Sequence, residues 1–189
     1  VFKRLVYGPD NILANNISGD EESVAAITIN DLKAYYDKQF SPSIATFNVV
    51  GDIEPAAVID SLASLTQNWS ASPVDIPQPQ FVAGANDQGA GLYFVDVPGA
   101  PQSVLRAGYL AMPQTDPDYY PAAVMNHQLG GGITGRLFQI LRIQNGYTYG
   151  ANSRFSGTLL PGPFSVSTSV RANVTMESMT LIKDILENY

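Results

Sequence analysis

The sequence predicts an α+β protein, a mostly antiparallel sheet with helices packed on one face. Three observations carry this reading. Strand-like segments come in adjacent pairs, helix-like segments also come in pairs, and a turn-rich stretch divides the chain in the middle. The string α, β, α, linker, β, β, α, α, β, β, α lacks the strict alternation of a doubly wound parallel sheet. With 189 residues and 45% apolar content, the chain suffices for one large domain or two small ones.

The first helix is announced by "SVAAITINDLKAYYDKQF". Thr28 as N-cap with Asp31 three residues on is a capping box, and Ile27 and Leu32 are spaced as a hydrophobic staple. Ile29, Leu32, Tyr36 and Phe40 form one apolar stripe, and "SPS" at 41–43 ends the helix. "IATFNVVGD" is too short and β-branched for a helix and predicts a buried strand. "EPAAVIDSLASLTQNW" follows, with Pro55 in the first turn and Val58, Leu62, Leu65 and Trp69 on one face. Residues 71–90 are rich in Pro, Gly, Ala and polar residues without a period, which predicts a linker.

Beyond it, "GLYFVDVPG" and "SVLRAGYLAMP" predict two strands joined through "PGAPQ". Asp116 and Pro121 supply start signals for a helix running through "AAVMNHQL" to the glycines, and "GRLFQILRIQ" predicts a second, short helix. "YTYGANSRFSG" and "GPFSVSTSVR" predict a hairpin around "TLLPGP". Its second strand alternates Phe164, Val166, Thr168 and Val170 against Ser165, Ser167, Ser169 and Arg171, the serine face turned to solvent. The closing helix, "TMESMTLIKDILENY", is expected to bury Met176, Met179, Ile182 and Leu186.

Composition excludes several functions. A net charge of −7 and a sequence pI near 4.4 argue against nucleic acid or an anionic membrane surface as partner. No apolar run reaches the length of a membrane span, and the opening "VFKRLVYGPD" lacks the pattern of a signal peptide. Zero cysteines remove disulfides, thiolate catalysis and zinc ribbons. The single histidine, His127, has no ligand-type neighbours in "MNHQLG" and is expected to serve a helix C-terminus or packing, so no metal site is expected in this chain. There is no G-x-S-x-G.

"LGGGITGRLFQILRIQNGYTYG" holds the candidate site. Its Gly130 to Gly135 spacing imitates a phosphate loop, but Arg136 and Leu137 stand where Lys and Ser or Thr are required, and a helix precedes it instead of a strand. The glycines are expected to end one helix in a left-handed conformation and let the next start at an angle. Arg142 and Tyr149 then bracket a helix end and a strand start. Guanidinium and phenol are donors suited to a carbonyl oxygen gaining negative charge, although spacing alone also admits Arg142 as a solvated helix residue.

The same stretch resembles the signature in the second half of pitrilysin- or insulinase-type zinc peptidases, whose relatives include the mitochondrial processing peptidase. The upstream "ITINDLKAYYDKQFSPSIATFNVVGDI" resembles the segment that closes their first half, so the resemblance spans residues 5–187 in the family's order. It implies two similar α+β half-domains enclosing a peptide, with residues 1–70 the tail of the first repeat and 91–189 the head of the second. The family's substrate-binding pair, L-R-x6-Y, falls on Arg142 and Tyr149, with Leu141 preceding; Tyr147 does not give the spacing. Gly130, Gly131 and Gly132 would turn the chain close to the cleft and aim Arg142 inward.

The resemblance further implies zinc in the complete enzyme, bound by a His-x-x-Glu-His motif that these residues lack. The metal would sit in a zinc-bearing half or a partner subunit, and the substrate would be a peptide or unfolded protein. Two functions stay open: the substrate-binding half of a zinc endopeptidase, or an inactive family member acting as scaffold or partner subunit. The resemblance leans towards the bacterial periplasm. Because the end of the second repeat should resemble residues 28–69, that helix-strand-helix is expected to dock on the sheet of 91–171, within one chain or in a homodimer formed by swapping.

Overall fold

A computed structural model describes residues 1–76, 78, 79 and 91–189. They form two compact bodies, one made of residues 1–14 with 91–189, the other of residues 15–79. The first fourteen residues, which the sequence reading kept with the tail of the first repeat, thus cluster with the later body. The linker expected at 71–90 lies for the most part outside the described residues.

The larger body is built on an antiparallel sheet of three strands in the order β1, β3, β2: β1 is Gln102–Leu110, β2 Thr148–Phe155 and β3 Pro163–Arg171. β2 and β3 are the expected hairpin. Its aromatic end is closed by Phe155 and Phe164, whose ring centroids lie 4.9 Å apart, with Tyr119 and Tyr109 against them. β3 is central, so both its edges are paired and its side chains lie between those of two neighbouring strands. Val166 and Val170 are buried on one face, and Ser165 on the other is buried as well, with Ser167 and Ser169 half-buried. The serine face expected in solvent is therefore corrected to a partly shielded one, flanked by side chains such as Arg106 on β1 and Asn152 and Arg154 on β2.

The helices pack on this sheet as the fold class requires. Phe2–Tyr7 (α1) lies by β1, with the Arg106 guanidinium 5.7 Å from the Phe2 ring centroid. Tyr119–Gly130 (α5), Arg136–Phe138 (α6) and Thr175–Glu187 (α7) contribute to a core of Leu129, Leu137, Leu141, Ala151, Phe164, Val166, Ile182 and Ile185. On α7 the buried stripe is Ser178, Ile182 and Ile185, which follow one another at i, i+4 and i+7. Met176, expected inside, is exposed, since that stripe is rotated from the one Met176 belongs to.

The smaller body contains Glu21–Ala26 (α2), Ile29–Gln39 (α3) and Pro55–Asn68 (α4). The capping box expected at α3 is present in both directions: Asp31 N–H donates to Thr28 Oγ1 at 3.3 Å, and Thr28 N–H to Asp31 Oδ2 at 2.8 Å. A second box, Asp20 with Ser23, starts α2. Ser41 is buried and ties two segments together, its hydroxyl donating to the Ser72 carbonyl at 2.7 Å while it accepts from Ser72 N–H.

Two expected strands are not formed. Neither 44–52 nor 91–97 enters a ladder, although both carry β-branched and aromatic residues, and Phe47, Val50, Leu92 and Phe94 are exposed. Strand propensity measures the fit of a side chain to a pleated neighbour and is empty without one.

Candidate functional site

The glycine run does not work as expected. Gly130 ends α5, and the C-cap Gly131 has φ −76°, its N–H bonded to the His127 carbonyl; neither is left-handed. The constraint at Gly130 is proximity. A Cβ there would stand 2.5 Å from both the backbone nitrogen and the hydroxyl of Ser153 on β2. The helix therefore ends pressed against the strand, where only a glycine fits. Asn126, buried one turn earlier, clamps the same residue: its Nδ2 donates to the Ser153 carbonyl at 2.8 Å, and Ser153 Oγ donates back to Asn126 Oδ1 at 2.5 Å. Around this contact Gly130, Gly131 and Gly132 line an open cavity of about 400 Å³ with Asn126, Asn152 and Arg154.

After the glycines the chain re-enters a helix at Arg136 and then widens into a π-helical segment, Gln139–Gln144. The Asn145 N–H reaches back five residues to the Ile140 carbonyl, and the Asn145 side chain donates to the same oxygen. Such wide turns are uncommon and cluster at functional sites. Here Leu141 is fully buried in the core, while Arg142 beside it is half-buried. Gly146, with φ +63°, then reverses the chain into β2 through a left-handed position suited to glycine.

Arg142 and Tyr149 meet. The guanidinium carbon lies 4.3 Å from the centroid of the Tyr149 ring, a cation–π stack, and Arg142 Nη1 donates to the Thr148 carbonyl at 3.2 Å. Tyr149 is 86% exposed, whereas Tyr147 is half-buried, so the residue singled out by spacing is also the one presented to solvent. One of the guanidinium's five N–H donors goes to the backbone, and the stack holds the plane in place.

The glycines do not join this pair. They abut Ser153, four residues farther along β2, about 13 Å at strand rise. His127, at the end of α5, is exposed and lies against Gly131, whose N–H it accepts through its carbonyl. Among the described residues no three His, Cys, Asp or Glu side chains come together in a way that would hold a metal ion. The donor set of the described residues thus does not fit zinc. Among the described residues no helix is long and apolar enough to cross a membrane.

The sequence reading missed Thr148 and Thr168, which lie beneath Tyr149, and Asn126, which holds Ser153 against the glycines. A glycine inside a strand pattern, Gly150, was the available sign that the strand is irregular there.

Comparison with known proteins agrees with the architecture. Residues 26–189 match the peptidase M16 inactive domain. Over its whole length the chain is 24% identical to an uncharacterized zinc protease of Streptomyces coelicolor, of which it spans 41%. A peptidase M16 inactive domain from Pseudomonas fluorescens superposes with a TM-score of 0.81 at 26% identity, covering 100% of this chain and 44% of that one. A protease from Helicobacter pylori follows the same fold, with a TM-score of 0.76, 19% identity, and 89% and 40% of the two chains covered. With the match running from the helix cap at Thr28 through the Arg142–Tyr149 pair to the last helix, the chain belongs to the peptidase M16 family, the one its paired motifs resemble.

Proposed function

We propose that this chain supplies the substrate-binding half of a zinc-dependent endopeptidase, whose metal is held by a zinc-bearing half or partner subunit outside these residues. The observation that supports it is the cation–π pair. Two donors of different chemistry, fixed on a π-helical turn and on a strand start, share one exposed point. A peptide carbonyl oxygen placed there accepts from the Tyr149 phenol and from a free guanidinium N–H, and both bonds strengthen as that oxygen gains negative charge. The pair's work is to hold and orient the carbonyl; in this reading the bond is broken by groups outside this chain. The substrate is a peptide or unfolded protein, and the bacterial periplasm is a suitable compartment for it.

The test is peptide cleavage by the complete enzyme, with its zinc-bearing half present. Arg142→Ala is expected to lower kcat/KM by about 100-fold, with the circular dichroism spectrum and thermal midpoint unchanged. Unchanged turnover overturns the assigned role. Absence of zinc-dependent cleavage in the wild-type assembly points instead to an inactive scaffold or partner subunit.

A further inference from the structure

We infer that Thr148, supported by Thr168, is a positioning residue whose buried hydroxyl holds a β-bulge that turns Tyr149 out of the protein core and onto Arg142. The inference rests on the reading of Arg142 and Tyr149 as a substrate-binding pair.

Strand periodicity makes the problem visible. Residues two apart on a regular strand share a face. Ala151 and Ser153 of β2 face the core, so a regular strand would put Tyr149 in the core with them. Tyr149 instead lies exposed, on the side of Asn152 and Arg154. The ladder explains the reversal: Thr148 pairs with Val170 and Ala151 with Thr168, so Tyr149 and Gly150 together oppose the single residue Ser169. Two residues against one is a bulge, and it shifts every side chain before it to the other alternation.

A bulge leaves main-chain groups without ladder partners, and beneath this one two buried threonines meet those groups. Thr148 is 6% exposed and Thr168 4%. Gly150 N–H donates to Thr148 Oγ1 at 3.1 Å, and Thr148 Oγ1 donates to the Ser169 carbonyl at 2.6 Å. Thr168 Oγ1 lies 2.9 Å from both Thr148 Oγ1 and the Gly150 carbonyl. Each hydroxyl has one proton, and the set closes with Thr168 donating to Gly150. The main chain of Thr148 meanwhile accepts from Arg142. One residue thus joins the bulge to the guanidinium, through its side chain on one side and its carbonyl on the other.

The variant that isolates the hydroxyl is Thr148→Val, which keeps the branched shape; Thr148→Ser restores the hydroxyl. Two measurements on the complete enzyme are needed. For the first, Tyr149→Cys places a thiol in a chain that has no cysteine, and its reaction rate with a water-soluble maleimide, read at position 149 by peptide mapping, reports exposure. Thr148→Val is expected to slow labelling at least 10-fold, and Thr148→Ser to return it to within about twofold. Unchanged labelling in Thr148→Val overturns the bulge lock.

The second measurement is peptide cleavage with Tyr149 in place. Thr148→Val is expected to lower kcat at least 10-fold, with Thr148→Ser rescuing it. Slowed labelling with full cleavage, in an enzyme that Arg142→Ala cripples, overturns the positioning role alone. If Arg142→Ala is without effect, the substrate-binding reading fails, while labelling still decides the bulge. Should Thr148→Val not fold, Thr168→Val replaces it, with an expected decrease of about threefold in both rates, and no decrease overturns the proposal.

Discussion

The two bodies of this chain contain equally well-signalled helices and bury them very differently. In the larger body, Leu137 and Leu141 lose all contact with solvent, and eight buried apolar residues form one cluster. In residues 15–79, Ser41 is the only buried side chain among those described. Helix α3 has its capping box, yet Ile29, Leu32, Tyr36 and Phe40 are all more than half exposed. The comparison teaches that caps and periodicity start a helix and mark its inner face, whereas a partner surface is needed to make that face a core.

The comparison is broken most severely at Leu141. Leu141→Ala is expected to destabilise the larger body by about 2–5 kcal/mol, because a fully buried leucine leaves both lost transfer energy and a cavity. Equilibrium unfolding in denaturant measures it. A loss below about 1 kcal/mol would show that the core is no tighter than the stripe of α3. The complementary change, Leu32→Ala, is expected to cost no more than about 0.5 kcal/mol in this chain, as an exposed position does. A larger loss in the complete enzyme proposed above than in this chain would reveal a surface there that covers α3.

A further expected effect concerns the cap itself. The bonds from the Thr28 side chain, and then from its backbone, hold the Asp31 carboxyl below the ordinary value for aspartate. A carboxyl depressed in the folded state stabilises that state above its unfolded pKa and loses the contribution as pH falls through the folded one. Helix α3 is therefore expected to keep its cap at neutral pH and to loosen only in acid, below the normal aspartate range. An NMR titration of Asp31 would check this. Thr28→Ala should move the carboxyl part of the way back to its ordinary titration, since the backbone bond remains, and cost the helix about 1 kcal/mol.

At the candidate site, legibility in the sequence was likewise uneven. The seven-residue spacing marked Arg142 and Tyr149, and the structure stacks them. The glycines were read for backbone freedom, but Gly130 is required by its approach to Ser153. That distance belongs to a helix end and a strand 23 residues apart in sequence, which no local pattern encodes. Thr148 and Thr168 read as ordinary strand residues, and their role depends on a register that only the assembled sheet defines.

What the sequence determined by itself is local: both ends of α3, the β2–β3 hairpin, the start of α5 near Asp116, and the interval from Arg142 to Tyr149. These follow from hydrogen bonds and torsional preferences between residues a few positions apart. Tertiary structure alone decided which strands found partners, which face of α7 went inside, and on which side of β2 Tyr149 emerged. Each of those outcomes depends on a neighbouring element, because burial and ladder pairing are properties of two surfaces. The strand-like segments at 44–52 and 91–97 mark that boundary: their residues favour a sheet, and no described strand pairs with them.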